Sequence, residues 1–207
     1  MNSPAIHWAD DGSNRAVADH LARVVQQNPN AVIAVPGGST PLPIFEELRA
    51  RGIDWSSATL MLTDDRIVPP GHPASNQSKL QSAFCGSGAR IVALEEGAVV
   101  PDLDLVWLGM GADGHIASLF PAMACADLPG SRIVRTEPNP LPPEAPFPRL
   151  SMNMEALASA SAEIILVIRG DVKKRVLEDA VAGSSDVPAN SLLRRADCPI
   201  TIYWSAE

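Results

Sequence analysis

Apolar residues at positions 16, 17, 18, 21, 22, 24 and 25 recur at helical spacing, with Asp19 and Arg23 on the other side, which predicts an amphipathic helix over 14–27. Asn28-Pro29-Asn30 stops it. Residues 31–35 then form a continuous apolar run, the pattern of a strand buried on both faces. Pro36-Gly37-Gly38-Ser39-Thr40 breaks the run before a second helix over 41–51. The alternation continues with a strand over 58–62, a helix over 75–84 after a Pro-rich loop, and a brief apolar segment at 90–94. Buried strands follow over 103–108 and 163–168, then a helix over 171–182 and a last strand over 199–204. Strands alternating with helices imply βαβ units. The expected fold is a three-layer α/β/α arrangement, with a mostly parallel Rossmann-like sheet and helices on both faces. Six prolines between Glu137 and Pro148 forbid regular helix or central strand there, so that stretch is expected to be a long loop over one domain spanning 1–207. There are no internal repeats.

Composition adds limits. Apolar residues make up 46% of the 207 positions but aromatics only 4%, so aliphatic side chains must fill the core. A formal charge of −8, with no basic cluster longer than Lys173-Lys174-Arg175, argues against a nucleic-acid surface while permitting a locally positive pocket. The N-terminus lacks the apolar segment of a signal peptide, and no apolar run approaches the ~20 residues of a membrane span. Cys85, Cys125 and Cys198 are far apart and form no CxxC, as expected of a reduced cytoplasmic protein. The four histidines are scattered without i, i+4 partners, so no metal site and no cofactor are expected.

In open α/β sheets, ligands bind beyond the carboxyl ends of the strands. Three such ends carry distinctive residues. Gly37, Gly38, Ser39 and Thr40 follow a strand and open a helix; glycines let backbone N–H groups approach an anion, and the hydroxyls and helix N-terminus add to it. The bland alternative is a tight turn with an N-cap. Thr63-Asp64-Asp65-Arg66 ends the next strand, where Arg66 can clamp a phosphate or simply pair with the carboxylates. Asn76 and His72 lie near the same edge; His72, on a Pro-rich loop, is left out of the mechanism. The third end is Leu108 to Pro121, LGMGADGHIASLFP. Asp113, two residues before His115, can hold its imidazole in one tautomer for proton abstraction from water. Alone, a DGH triplet reads more readily as a capping Asp beside a structural His.

The whole set of segments resembles the 6-phosphogluconolactonases of the wider glucosamine-6-phosphate deaminase-like superfamily. PGGSTP, DDRIVP, SNQSKL, LGMGADGHIASLFP, PRLSMN and RGDVKK occur in the family's order over most of the chain. Deaminases resemble DGHIAFNEP, whereas this chain reads DGHIASLFP, the lactonase form. It departs in having Asp65 where Glu is usual, Ala122 where Gly is usual, and a short end after Trp204. The resemblance implies hydrolysis of 6-phospho-D-glucono-1,5-lactone to 6-phosphogluconate in the oxidative pentose phosphate route. It makes His115 and Asp113 the catalytic pair. Gly37, Gly38, Ser39, Thr40, Arg66, Asn76, Arg149 and Lys173 become the substrate and phosphate contacts, with glycine-loop amides or Arg66 as oxyanion donors. No G-x-S-x-G elbow is present, which favours direct attack by water. The expected partner is a small phosphorylated sugar lactone, with no nucleic acid and no membrane, bound by a monomer or small homo-oligomer. Two alternatives stand beside this reading. One is a sugar-phosphate isomerase or deaminase on the same fold. The other is a non-catalytic sugar-phosphate sensor, for which no DNA-binding segment fits before the first expected strand at Ala31.

Overall fold

Alternating side chains sort the apolar residues of the strands into two cores, one on each face of a sheet. The computed structural model describes residues 4–123, 128–139, 146–159 and 161–206. In chain order the elements are β1 (Ile6–Trp8), α1 (Asn14–Gln27), β2 (Val32–Val35), α2 (Pro41–Arg49), β3 (Thr59–Leu62), β4 (Asp64–Arg66), α3 (Asn76–Ala83) and β5 (Arg90–Val92). They continue with β6 (Leu105–Leu108), β7 (Ile133–Thr136), β8 (Arg149–Met152), α4 (Met154–Ser159), β9 (Ile164–Arg169), α5 (Asp171–Val181), α6 (Pro188–Arg195) and β10 (Ile200–Ser205).

Seven strands form one parallel sheet in the order β1-β10-β9-β6-β2-β3-β5. Ile33, Val35, Leu60, Leu105, Trp107, Ile165 and Val167 pack with Leu21 of α1, Ile44 of α2 and Leu80 of α3. Ala34, Met61, Val106, Leu108, Leu166 and Ile168 pack with Leu157 of α4, Leu177 of α5 and Leu192 of α6. Burial on both faces is why these strands read as unbroken apolar runs. The expected three-layer arrangement is therefore present, and the strand ends differ from those expected by only one or two residues.

The strand order reverses between β2 and β6. From β2 the chain adds β3 and β5 toward one edge, then returns to lay β6 on the other side of β2 and continues to β9 and β10. Crossovers between parallel strands keep a right hand, so reversing the direction of travel moves the connecting helices to the opposite face. That accounts for α1 and α2 on one side and α5 and α6 on the other.

A second, antiparallel sheet of order β4-β8-β7 was not anticipated. Its strands are three or four residues long and partly charged, too short for a periodicity to show. Thr63 joins the sheets: its N–H donates to Val35 O (2.9 Å) and its carbonyl accepts from Met152 N–H (2.8 Å). The three-residue β1 also escaped prediction, so the first strand precedes Ala31 rather than beginning there. Helices α4 and α6 were missed as well. In contrast, β10 lies inside the sheet between β9 and β1, so the short end does not remove the final strand. Of the proline-rich loop, residues 137–139 and 146–148 carry no regular structure and 140–145 lie outside the described residues. Cys85 is exposed and Cys198 buried, both free, while Cys125 lies outside the described residues.

Ala122 takes the left-handed φ of 64°, a conformation that costs an L residue roughly 1–2 kcal/mol and glycine little. Ala122→Gly is expected to stabilise the fold by up to about 1 kcal/mol once the looser unfolded chain is counted. Thermal unfolding should show this as a Tm raised by up to roughly 4 °C; an unchanged or lower Tm contradicts it.

Candidate active site

The loops after β2 and β6 face each other across the point where the strand order reverses. In the first, a Cβ on Gly37 would lie 1.8 Å from Asn76 Nδ2, so only glycine lets the loop lie against that amide. Gly38 has φ 91° and its N–H donates to Asn76 Oδ1 (3.2 Å). Asn76, the first residue of α3, is 4% exposed. Its Oδ1 also accepts from Arg66 Nη1 (3.0 Å). One side-chain amide thus ties the glycine loop to the arginine.

The two adjacent carboxylates of β4 part company. Asp65 caps α3, accepting from the N–H groups of Asn76 (2.8 Å) and Gln77 (2.9 Å). Asp64 faces the cavity and accepts from the Ser118 hydroxyl. Arg66 pairs with neither: among the described residues it has no carboxylate within ion-pair distance, and it donates to Ala74 O (3.2 Å) besides Asn76. The structural ion pair weighed for this segment is therefore not formed.

Beyond β6 the chain doubles back. Met110 and Ile116 form an isolated bridge, and Gly111 N–H donates to His115 O (2.9 Å). This fold-back brings His115 Nδ1 to 2.6 Å from Asp113 Oδ1. A Cβ on Gly111 would stand 2.2 Å from both Nδ1 and Cε1 of His115. Phe120 stacks on the imidazole, with centroids 4.4 Å apart, and Arg149 sits over Phe120 at 5.3 Å. A carboxylate at Nδ1 places the imidazole proton there and leaves Nε2 as a lone pair; among the described residues no hydrogen bond occupies Nε2. Partial burial works to raise the Asp113 carboxyl, but the facing His115 and its hydrogen bonds outweigh this and hold it below its usual range.

The third wall comes from β9 and α5. Burial lowers Arg169 and Lys173 from their ordinary values, the latter against the pull of Asp113. Arg169 donates to Asn14 Oδ1 (2.8 Å) and Ile168 O (3.0 Å). Among the described residues, neither cation has a carboxylate within ion-pair distance. A cavity of about 250 Å³ joins the three walls, with Gly37, Gly38, Thr40, Arg66, Asn76, His115 and Lys173 all on its lining. Ser39 is not on the lining, and its residue is exposed. Arg149 is 5% exposed and reaches the site through Phe120 instead. Asp64, Trp107 and Arg169 line the cavity without having been singled out. Each lies in a strand that reaches the site, a placement that only the tertiary structure shows. A larger hollow of about 520 Å³ between α2 and α3 holds His72 but none of these convergent groups. Its size is no argument for catalysis there.

The family described as glucosamine-6-phosphate isomerases/6-phosphogluconolactonase matches residues 10–99 and 89–204. The chain belongs to this family. A 6-phosphogluconolactonase of Mesorhizobium japonicum is 36% identical over 217 residues, covering 91% of this chain and 87% of that protein. One from Rhizobium meliloti is 34% identical over 219 residues, covering 91% and 90%. The crystal structure of a 6-phosphogluconolactonase from Shewanella baltica superposes with a TM-score of 0.78 at 26% identity, covering 100% and 99% of the two chains. A monomeric glucosamine-6-phosphate deaminase also superposes, with a TM-score of 0.77 at 18% identity and coverage of 98% of each chain, which speaks to the fold alone.

Two substitutions probe the positioning. Gly111→Ala is expected to push the imidazole out of line and to lower kcat about 10²-fold with the fold intact; normal turnover would show that the close approach is dispensable. Asn76→Ala should instead raise KM, since it frees both the glycine loop and Arg66. Steady-state kinetics beside circular dichroism separate these outcomes.

Proposed function

We propose that this chain hydrolyses 6-phospho-D-glucono-1,5-lactone to 6-phospho-D-gluconate, with His115 as the general base for a water molecule. The observation that carries this reading is the Asp113–His115 pair, 2.6 Å apart, opening on a cavity lined by Arg66, Arg169 and Lys173. The names of the relatives at 34–36% identity support the same substrate.

A lactone carbonyl is already electrophilic, so an oriented base suffices to activate water. Asp113 keeps the proton on Nδ1 and steadies the imidazolium that forms when Nε2 takes a proton from water. Hydroxide equivalent then adds to C1. The negative charge on the carbonyl oxygen requires preformed donors, and the guanidinium of Arg66 and the glycine-loop amides are the candidates at hand. Phosphate is assigned to Gly37, Gly38, Thr40 and Lys173, with Ser39 and Arg149 as outer contributors. Among the described residues no group of three or more His, Cys, Asp and Glu is arranged to hold a metal ion, and no helix is long and apolar enough to cross a membrane. A cytoplasmic monomer or small homo-oligomer acting on this small phosphorylated lactone, without nucleic acid, is the setting we assign.

His115→Ala should lower kcat by about 10²–10⁴-fold, measured on freshly generated lactone with spontaneous hydrolysis subtracted. Gluconolactone without phosphate should be a much poorer substrate; equal rates on both would remove the phosphate site, and ammonia release from glucosamine 6-phosphate would favour the deaminase reading. Burial lowers the Lys173 value, so its charge is lost on the alkaline side sooner than that of a free lysine. Calorimetric affinity for 6-phosphogluconate should accordingly weaken as pH rises, and Lys173→Arg should flatten that decline.

A further inference from the structure

The lactonase reading uses His115 on the water side of the carbonyl and leaves the other side without a proton donor. When the tetrahedral adduct collapses, the C1–O5 bond breaks and O5 departs as a sugar alkoxide, a strongly basic leaving group. General acids near such an oxygen contribute roughly 10²–10⁴-fold. We propose that Asp64 is a second catalytic carboxyl, giving its proton to O5 as that bond breaks.

The placement supports this role. Asp64 lines the same cavity as His115. The residue is half-buried: protein surrounds the carboxyl, while it keeps an opening to the cavity. It is held on three sides. β4 pairs it with Ser151 of β8, the Ser118 hydroxyl donates to Oδ2, and the Thr63 hydroxyl donates to Oδ1 (3.4 Å). Ser118 is fixed in turn, its N–H donating to Ser151 Oγ (3.2 Å). Among the described residues no cation lies within ion-pair distance of Asp64, so nothing neutralises its ionised form at contact.

The charged groups that act on it are Arg66 and Asp65 on β4 and His115 beyond β6. Burial dominates and pushes the carboxyl up, aided by Asp65 and opposed by the Ser118 bond, Arg66 and His115. A carboxyl in such a place keeps its proton to higher pH than an exposed aspartate. The proton count closes. His115 takes one proton from water, and the hydroxide adds to C1. Asp64 delivers its proton to O5. The imidazolium returns a proton to Asp64, through solvent in the cavity, and the new carboxylic acid ionises to bulk water.

The test compares wild-type protein with Asp64→Asn, which keeps the shape and can donate a hydrogen bond but cannot transfer a proton. Both are assayed on freshly generated 6-phosphogluconolactone across pH, with 6-phosphogluconate affinity measured by calorimetry. Expected are a kcat lowered about 10²-fold or more, KM and product affinity unchanged, and loss of the alkaline limb of the wild-type kcat profile that Asp64 ionisation creates. An unchanged kcat overturns the proposal, because the imidazolium then serves both proton transfers. A loss confined to KM and product affinity also overturns it, since Asp64 would then be binding a sugar hydroxyl. Ser118→Ala provides an independent arm should Asp64→Asn fail to fold. Removing a hydrogen bond to the carboxylate moves the alkaline limb to higher pH, and a stationary limb overturns the assignment. Wild-type protein that leaves the lactone untouched defeats the hydrolase reading as well, whereas an active wild type with a fully active Asp64→Asn defeats only this one.

Discussion

The crevice between β2 and β6 is the constraint on which the site depends. A parallel sheet whose crossovers all keep one hand, built outward in two directions, leaves the loops after its two starting strands diverging to opposite faces. The gap cannot be closed by side chains of the core, because it lies beyond the carboxyl ends. Into it the chain turns one glycine loop from β2 and another from β6, and the cavity is what remains between them.

Precision inside that gap comes from approaches only a missing side chain allows. Gly37 rests against the amide of Asn76, and Gly111 rests against the ring of His115. In each case a side chain fills the place a Cβ would take, so the glycine backbone and a functional group are held in direct contact. The small antiparallel sheet completes the enclosure. Through Thr63 it continues the hydrogen bonding of β3, which makes β4 a rigid support for Asp64 and Arg66. Phe120 does similar work on the other side, with His115 on one ring contact and Arg149 on another.

Charge is distributed against the average of the chain. The protein as a whole is acidic, at −8, yet Arg66, Arg169 and Lys173 all line the cavity without a carboxylate at contact distance among the described residues. Unpaired, partly desolvated cations are costly unless an anion arrives. What the cavity leaves unneutralised favours an anionic ligand, as the proposed phosphorylated lactone is. An acidic exterior limits adventitious binding of polyanions elsewhere.

The sequence alone determined the three-layer class, the extent of α1, and the strand ends where chemistry gathers, because both-face burial writes itself as long apolar runs and glycine marks where they stop. His115, Asp113, Arg66 and Asn76 were picked out as candidates for that reason, and Lys173 through the family resemblance. The antiparallel sheet was not legible: β4, β7 and β8 are too short to show a period, and β4 finds its partner β8 only far along the chain, Arg66 opposite Arg149. Nor could adjacency in DDR tell which carboxylate caps a helix and which faces the cavity, since successive strand residues point to opposite sides and only the packing of α3 decides which side is which. Arg169 and Trp107 likewise became site residues only through tertiary structure, when the register of β9, β6 and β2 brought their strands together at one mouth of the sheet.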